Sequence, residues 1–526
     1  MGNIKLLDCT LRDGGHVNQG RFGRSVIKSI ISNLVKSKVD IIEVGFLWNY
    51  MTEDDVAKFH SINEVKALLP KNMGNTKLAL MADGVDLSHI EPCDGTVEII
   101  RLSFRKTEFE WAERMAGLLK EKGYKIYINP IHGSSFSDEE YLNIIKRVNQ
   151  MKPDGFSIVD TFGAMRQNDL GRIYYLVEHN LDKSIELGIH LHENLGLSYS
   201  LVQYILKIVS PTRSIIIDGS LYGMGKIPGN LCIEQVMDYL NNEYSMGYAI
   251  EPVYDAIDDY IMPIYEKVGW GYSVPYAISA QCGVHRTYAE YLVNKDRLHT
   301  KDIRRLLNSI GDEYAEIFNK DYIESLYKQY MLVKYDDSVA ITQLEKKLKS
   351  FEKIIVIAPG SSLNNYTFTR SSLTGACIIT VNFMYDKVPG NFFFFGNSKR
   401  LGYAADIDAS NMIITSNLID EVNNPGYIVS RNELSYHDDL YCDDSTLMCL
   451  NLLKRCGIRE VFIAGFDGFY GFTKQENNFY DHNLDRPDRD GDYDLEIRLH
   501  VLREAYKNLK INFLTPSLYE MEENSY

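Results

Sequence analysis

A cation, a carboxylate and an imidazole occur close together near the beginning of the sequence. Arg12, Asp13 and His16 follow an apolar run, residues 4–8, which is typical of a buried strand, and the two glycines between Asp13 and His16 favour a turn. A turn at the end of a strand brings the three side chains into one small volume. An Arg–Asp pair more often forms a surface salt bridge that contributes little stability. We favour a functional site because two further polar segments with compatible chemistry follow in the chain.

Two histidines form the second of these segments. His190 and His192 belong to a strand-like run with the sequence Gly-Ile-His-Leu-His-Glu-Asn. Side chains on a strand alternate between faces, so histidines two positions apart point the same way and can converge on one metal ion. A single histidine is usually structural, and a pair at this spacing also arises by chance. With Asp13, the pair makes a His-His-carboxylate set with open coordination positions, which suits a divalent Lewis acid.

The third segment is a glycine-rich loop, residues 218–230, with the sequence Asp-Gly-Ser-Leu-Tyr-Gly-Met-Gly-Lys-Ile-Pro-Gly-Asn. Its glycines let the backbone approach a ligand closely, and Asn230 can offer a carbonyl oxygen or an amide to the site. In this order the three segments resemble the DRE-TIM metallolyase superfamily, the HMGL-like enzymes. Members of that superfamily carry Asp-x-Thr-Leu-Arg-Asp-Gly, then His-x-His-x-Asn, then a glycine-rich loop that ends in Gly-Asn. The resemblance extends over roughly residues 3–290.

This resemblance implies chemistry that makes or breaks a carbon–carbon bond next to a carbonyl group. It implies Mg²⁺ or Mn²⁺, with Zn²⁺ also possible, and a 2-oxo acid such as pyruvate whose enolate the metal stabilises. Arg12 would add a fixed positive charge at the enolate oxygen. His16 matches the catalytic histidine of 4-hydroxy-2-oxovalerate aldolases, which moves the proton of the aldol hydroxyl. The favoured activity is therefore a metal-dependent aldolase that joins a small 2-oxo acid to an aldehyde.

Two other functions stay open at this point. A hydroxymethylglutaryl-CoA lyase is not among them, because those enzymes carry a catalytic cysteine in the glycine-rich loop and residues 222–230 contain none. An acyl-CoA-dependent Claisen condensing enzyme, like isopropylmalate synthase, is the alternative within the superfamily. From another class, the alternative is a catalytically inactive barrel that serves as a binding or scaffold module.

Alternating strand and helix patterns predict the elements that position these residues. Eight strand-like apolar runs occur between residues 4 and 218, with amphipathic helical stretches between most of them. Eight such units favour a closed (β/α)8 TIM barrel, in which the active site lies at the carboxyl ends of the strands. Asp13, Arg12 and the two histidines all fall at or just beyond predicted strand ends.

Four further strand-end residues are candidates for the same site. Glu43 is a carboxylate within an apolar strand, which is costly unless it meets a cation such as Arg12. Its role is either catalytic or that of a structural ion pair. Ser103, Asn129 and Thr161 are predicted to line a substrate pocket, although turn chemistry in the loops after strands explains each of them equally well.

The rest of the chain divides by pattern. We predict a barrel domain at residues 1–230, a helical extension at 231–335, a charged linker at 336–352 and a doubly wound, Rossmann-like α/β domain at 353–526. In superfamily members a helical extension often carries specificity or dimer contacts, which makes a homo-oligomer the expectation.

The last domain has polar residues at its predicted strand ends. Gly360, Ser361 and Ser362 form a turn of the kind that binds phosphate with backbone amides, and Asn382 and Asp467 follow later strands. The Pro-Gly-Ser-Ser-Leu turn and a strand that ends in Ala-Gly-Phe-Asp resemble the bacterial sialyltransferase-like domains of surface-glycan biosynthesis. The resemblance implies a nucleotide or sugar nucleotide as ligand and a role in glycan synthesis.

Composition narrows the classes of partner. The 72 acidic against 56 basic residues give a formal charge of −16, which argues against a nucleic-acid partner. The eight cysteines show no Cys-x-x-Cys spacing, so we expect reduced thiols in a cytoplasmic protein. The sequence shows no secretory leader pattern and no apolar run long enough to span a bilayer, which predicts neither export nor membrane insertion.

Overall fold

The chain folds into two compact units. The first unit comprises Met1–Glu290 and Gly311–Phe318, and the second comprises Tyr291–Ile310 and Asn319–Tyr526. The structure, a computed structural model, describes residues 3–51, 53, 55–133, 136–226, 228–295, 298–332, 334–402, 404, 407–437, 442, 444–468, 491–506 and 508–520. The predicted helical extension is thus divided between the two units.

A closed parallel barrel forms the first unit. Its strands are β1 Ile4–Asp8, β2 Ile41–Leu47, β3 Lys58–Phe59, β4 Lys77–Asp83, β5 Ile99–Phe104, β6 Lys125–Pro130, β7 Gly155–Asp160, β8 Glu186–Leu191 and β9 Ile215–Gly219. β1 pairs in parallel with both β9 and β2, which closes the ring, and the short β3 is added outside β2. The predicted TIM barrel is confirmed.

Amphipathic helices cover the outside of the barrel. α1 shows the reason, because Ile27, Ile30, Ile31 and Leu34 recur at helical spacing and are all buried. The helices that begin in this unit are α1 Arg24–Lys36, α2 Ile62–Lys66, α3 Phe109–Glu121, α4 Asp138–Met151, α5 Gln167–Asn180, α6 Ser198–Ile208, α7 Ile233–Tyr244, α8 Glu251–Ala256, α9 Met262–Val268, α10 Val274–Gln281, α11 Thr287–Asn294 and, further along the chain, α13 Asp312–Ala315.

Inside the barrel, an apolar layer lies beneath a polar one. The apolar cluster consists of Leu7, Cys9, Ile41, Ala79, Ile99, Tyr127 and Ile216. Side chains two positions further along a strand share its face and lie nearer its carboxyl end. On β2, β5, β6 and β9 those next positions hold, respectively, Glu43, Arg101, Asn129 and Asp218, all buried. Strand alternation therefore builds a layer of polar side chains just below the mouth of the barrel.

The second unit is a seven-stranded parallel sheet with helices. Its strands are β10 Lys353–Ile357, β11 Ala376–Val381, β12 Phe392–Phe395, β13 Met412–Thr415, β14 Tyr427–Val429, β15 Glu460–Ala464 and β16 Lys510–Phe513. Its remaining helices are α12 Thr300–Asn308, α14 Lys320–Met331, α15 Ser338–Leu348, α16 Arg370–Leu373, α17 Ser398–Leu401, α18 Arg431–Leu434, α19 Ser445–Arg455 and α20 Gly491–Ala505. The strand order reverses at β10, which pairs with both β11 and β15. The predicted Rossmann-like fold is confirmed.

The segment interpreted as a linker contributes to this second core. α15 lies within it, and Leu344 and Leu348 on α15 are buried against the sheet. Asp337 at the beginning of the helix forms a bidentate ion pair with Arg455, with N–O distances of 2.6 and 2.8 Å. The domain boundaries read from the sequence stay predictions. No helix in the described part of the chain is long and apolar enough to cross a membrane.

Candidate active site

A buried arginine joins three strands of the polar layer. Arg101 on β5 lies 3.3 Å from Glu43 Oε1 and 2.5 Å from Asp218 Oδ2 through its two terminal nitrogens. Its Nη2 also donates to Asn129 Oδ1 at 2.9 Å. A fully buried guanidinium is tolerated only where such acceptors surround it. Arg101 therefore holds the layer together by charge.

Arg12 lies above this layer and shares Glu43 with Arg101. Its Nε donates to Glu43 Oε2 at 2.6 Å, and its Nη1 lies 3.5 Å from Asp13 Oδ1. Burial alone would lower the pKa of Arg12, but the carboxylates of Glu43 and Asp13 outweigh burial and raise it. Arg12 is thus a permanently charged group held in a set orientation.

Asp218 orients the first of the two predicted metal-binding histidines. His190 Nδ1 lies 3.1 Å from Asp218 Oδ2, and His190 Nε2 lies 3.2 Å from Asp13 Oδ2. A proton on Nδ1 shared with a carboxylate leaves the Nε2 lone pair for a metal, an arrangement common around metal-binding histidines. Burial would lower the pKa of His190, but the two neighbouring carboxylates outweigh burial and raise it.

The glycine-rich loop orients the second histidine. His192 Nδ1 lies 3.1 Å from the carbonyl oxygen of Gly229, and His192 Nε2 lies 3.8 Å from Asp13 Oδ2. Gly229 has a φ of 125°, and a Cβ there would lie 2.6 Å from the Gly223 carbonyl oxygen, so the loop requires glycine. Burial lowers the pKa of His192 to about 3 despite the Asp13 carboxylate, which keeps the ring neutral and available as a ligand.

These groups fit a divalent metal ion. Asp13 Oδ2 is buried and has no hydrogen-bond partner among the described residues, although the Nε2 atoms of both histidines face it. Burial would raise the pKa of Asp13, but Arg12 and the two histidines hold it well below its usual range. An ionised carboxylate and two imidazole nitrogens are ordinary ligands for Mn²⁺, Mg²⁺ or Zn²⁺.

Cys9 lies close enough to offer an alternative third ligand. Its Sγ lies with the ligand atoms of Asp13 and His190 in a group that spans at most 4.8 Å. Burial raises the pKa of the Cys9 thiol well above its usual range, and the thiol donates to the Gly219 carbonyl oxygen at 3.3 Å. Because thiolates rather than thiols bind metals, His192 is the better third ligand.

A known family resembles the part of the chain that carries this site. Residues 3–255 match the family described as HMGL-like. The chain is 25% identical over 343 residues to the 4-hydroxy-2-oxovalerate aldolase of Chloroflexus aurantiacus, an alignment that covers 61% of this chain and 93% of the relative. It is 23% identical over 342 residues to the enzyme of that name from Geobacillus genomosp. 3, with coverage of 61% and 95%.

The chain also shows a partial likeness to a solved structure. It is the N-terminal domain of a Bacteroides vulgatus protein that carries a provisional aldolase name, with a TM-score of 0.49 and 24% identity. The alignment covers 55% of this chain and 96% of that domain.

His16 lies at the rim of the barrel. Its Nε2 is 3.8 Å from Asp13 Oδ1, and 45% of its side chain is exposed. Partial burial lowers the pKa of His16 to about 4, aided by Arg12 and opposed by Asp13. A neutral, accessible imidazole beside the metal-ligand candidate can accept or return a proton.

The predicted substrate-binding residues occupy different positions. Ser103 donates to the Ala82 carbonyl oxygen at 3.3 Å, and Asn129 is engaged with Arg101. Thr161 accepts a hydrogen bond from the His132 backbone and lines a cavity that also contains His192. Asn230 lies opposite His192 in an isolated β-bridge, with a buried Oδ1 that has no hydrogen-bond partner among the described residues. Thr161 and Asn230 are therefore next to the metal-ligand candidates, whereas Asn129 belongs to the supporting polar layer and Ser103 is bonded to the backbone of β4.

Sequence reasoning missed the roles of Arg101 and Asp218. Both were visible as charged residues within apolar strands, the same signal that identified Glu43. Their positions two residues after Ile99 and Ile216 would have assigned them to the inner face of the barrel.

The second unit brings together some of its predicted ligand-binding residues. Ser362 donates through its backbone and hydroxyl to the two Asp467 carboxylate oxygens, at 2.8 and 2.5 Å. The Gly360 backbone donates to the Gly465 carbonyl oxygen at 2.6 Å, and Ser361 begins a short 3₁₀ helix that ends at Asn365. Asn382 follows β11 with a φ of 66°, and its buried Oδ1 has no hydrogen-bond partner in the described part of the chain.

Proposed function

We propose that this protein is a divalent-metal-dependent carbon–carbon lyase, an aldolase of pyruvate or a related 2-oxo acid. The observation that carries the proposal is that Asp13 Oδ2 has no hydrogen-bond partner among the described residues, while His190 Nε2 and His192 Nε2 lie 3.2 and 3.8 Å from it. Asp13, His190 and His192 would hold a divalent ion, which would supply a Lewis acid for the keto group of the 2-oxo acid. The names of the relatives, 4-hydroxy-2-oxovalerate aldolases, support this reaction class.

Arg12 is assigned to the negative charge that develops on the keto oxygen. Glu43 accepts a hydrogen bond from its Nε at 2.6 Å and Asp13 Oδ1 lies 3.5 Å from its Nη1, so the guanidinium has little freedom to reorient. Preorganised charge of this kind stabilises an enolate more than it stabilises the keto acid. Glu43 and Arg101 are therefore positioning residues, which act through Arg12 and through Asp218.

His16 is assigned to proton transfer at the second substrate. In the cleavage direction it takes the proton from the aldol hydroxyl, and in the condensation direction it returns that proton to the aldehyde oxygen. Its neutral state near pH 7, which follows from a pKa of about 4, suits the first of these roles. Its exposed position at the rim allows the proton to exchange with solvent.

The second unit is proposed to bind a nucleotide or sugar nucleotide in the synthesis of a glycan. Support comes from the reversal of strand order at β10, because ligands of open α/β sheets bind where the order reverses. Asn382 follows the neighbouring β11, and its buried Oδ1 has no hydrogen-bond partner among the residues that the structure describes, so it is suited to contact such a ligand.

Deuterium exchange tests the aldolase proposal without knowledge of the aldehyde. The full chain, loaded with Mn²⁺ and incubated with pyruvate in D2O, should place deuterium at C3, detectable by mass spectrometry, and EDTA should abolish the exchange. Addition of a panel of aldehydes should then yield 4-hydroxy-2-oxo acids. A metal-loaded protein that neither exchanges nor condenses would exclude the proposal, and condensation of acyl-CoA instead would favour the Claisen alternative.

A further inference from the structure

A cationic cavity adjoins the candidate active site of the first unit. Its lining includes Thr161, His192 and Asn194 together with Lys226, His285 and Arg286. The cavity therefore lies next to a predicted metal ligand and is also bordered by two positive side chains. Neither cation has a role in the reaction steps assigned to Arg12 and His16.

Lys226 has no counter-ion in the described structure. No carboxylate of the described residues lies within ion-pair distance of its Nζ, although the residue is partly buried. Burial and the nearby Arg286 and Arg105 lower the pKa of Lys226, with Asp13 and Glu290 opposing. A cation held in this way is destabilised by its surroundings and would be stabilised by a bound anion.

Arg286 is only partly neutralised. Its Nη1 pairs with Glu290 at 2.8 Å, and Tyr276 also donates to that carboxylate oxygen. Its Nε is buried and has no hydrogen-bond partner among the described residues. A buried donor without an acceptor is costly, and the cost is removed when a ligand supplies the acceptor.

The histidine beside these cations contributes no further charge. Burial lowers the pKa of His285 to about 4, and Lys226 and Arg286 lower it further. His285 is therefore a neutral group near pH 7 that can share a hydrogen bond with an anion. The cavity thus combines two cations, one neutral donor and one unpaired guanidinium nitrogen.

We propose that the aldehyde partner of the reaction carries an anionic group, a carboxylate or a phosphate, which binds to Lys226 and Arg286. This inference rests on the proposed aldolase function. In the reaction, the C3 carbon of the 2-oxo acid loses a proton and bonds to the aldehyde carbon, and the aldehyde oxygen gains a proton. The anionic group takes no part in bond making, and its binding orients the aldehyde carbon toward C3.

Matched pairs of aldehydes test this inference with the full, Mn²⁺-loaded chain and pyruvate. Succinate semialdehyde is compared with butanal for the carboxylate, and glyceraldehyde 3-phosphate with glyceraldehyde for the phosphate. We expect kcat/KM to be at least about tenfold higher for the charged member of one pair, and that pair identifies the anion. Lys226→Met and Arg286→Met should each reduce this preference about tenfold, whereas Lys226→Arg should retain most of it.

The control is Lys125→Met. It removes a cation at the amino end of β6, which is the end of the barrel opposite to the candidate active site. It should leave the preference unchanged. If wild type exchanges the C3 protons of pyruvate but shows no preference in either pair, the inference is wrong and the aldolase function stands. Equal losses for charged and neutral aldehydes in Lys226→Met would also overturn it, because Lys226 would then bind the 2-oxo acid. Absence of exchange in wild type would instead contradict the proposed function itself.

Discussion

The barrel and the second sheet use the same topology with different electrostatics. Both place polar side chains within or just after parallel strands. In the barrel these are buried ions in mutual contact, such as Arg101 with Glu43 and Asp218. In the second sheet, the carboxylate of Asp467 is satisfied by neutral groups of Ser362, and burial raises its pKa. Strand-end position alone therefore does not determine the chemistry of a site.

The difference lies in the cost of burying charge. Each ion of the barrel network would be unstable in the interior without its partners, and an apolar core of equal volume would cost less. Such a network is expected where the protein must hold charge in a defined geometry for a metal or a reacting group. In the second sheet, the Ser362 backbone amide already donates its hydrogen bond to Asp467 and is not available to a phosphate. Binding of a phosphate ligand there would depend more on neighbouring groups such as Asn382.

The largest expected effect comes from removing a metal ligand. His190→Ala should reduce bound metal from about one ion per chain to less than about a tenth, and lower turnover at least about 1000-fold, because Lewis-acid stabilisation is worth several kcal/mol. Elemental analysis of the purified variant and the C3-exchange assay measure the two effects. His179→Ala, on the exposed side of α5, is the control. Full metal content in His190→Ala would show that the barrel network has a structural purpose.

A smaller effect is expected when charge is kept but geometry is lost. Arg12→Lys should lower kcat about 100-fold. Arginine can donate to Glu43 through Nε and still offer its terminal nitrogens to the keto oxygen, whereas lysine has a single ammonium group for both contacts. Metal content should stay near that of wild type. Arg172→Lys, an exposed residue of α5, is the matched control. Near-normal turnover in Arg12→Lys would make this residue a structural one.

The second unit should depend on one ion pair for stability rather than for chemistry. Asp337→Asn removes the charge that pairs with Arg455 and should destabilise this unit by about 2 kcal/mol. Urea unfolding followed by circular dichroism reports both units, whereas tryptophan fluorescence reports only the first, because all three tryptophans, Trp48, Trp111 and Trp270, lie there. For Asp337→Asn, the unfolding transition of the second unit seen by circular dichroism should move to lower urea concentration, and the transition seen by tryptophan fluorescence should not move.

The pH dependence of this effect has a defined sign. Burial would raise the pKa of Asp337, but Arg455 and the Ser430 amide lower it. The stabilisation is therefore fully present above the ordinary pKa of 3.8 and is lost as pH falls through the lower folded value. The neighbouring, exposed Asp336→Asn should have little effect. A shift in tryptophan fluorescence for Asp337→Asn would contradict the assignment of this pair to the second unit.

The smallest effect is expected at the second strand-end site. A nucleotide or sugar nucleotide at about 100 times its Kd should raise the stability of the second unit by about 2.7 kcal/mol, and Asn382→Ala should weaken binding about tenfold. Asn424→Ala, which replaces another left-handed but exposed asparagine, is the control. No stabilisation of wild type by any nucleotide would leave the second sheet without this proposed ligand.

Local pattern in the sequence was sufficient for the fold and for the candidate ligands. Apolar runs of strand length between amphipathic helices predicted both parallel sheets, because periodicity reports which faces are buried. The spacing of His190 and His192 predicted that they share a strand face, and the turn after Asp8 predicted the position of Asp13. These inferences depend only on neighbours within a few residues.

The partners of each charge were decided by tertiary structure alone. Closure of the barrel brings β5 and β9 together across 117 residues of sequence. This closure decides which carboxylates pair with Arg101, and it decides that Asp218 is the acid beside His190. The cavity of Lys226 and Arg286 likewise joins a loop after β9 to the segment after α10. The sequence determined where strands end and which residues follow them. Only the closed ring determined which of those residues touch, because contacts across a barrel leave no local period in the chain.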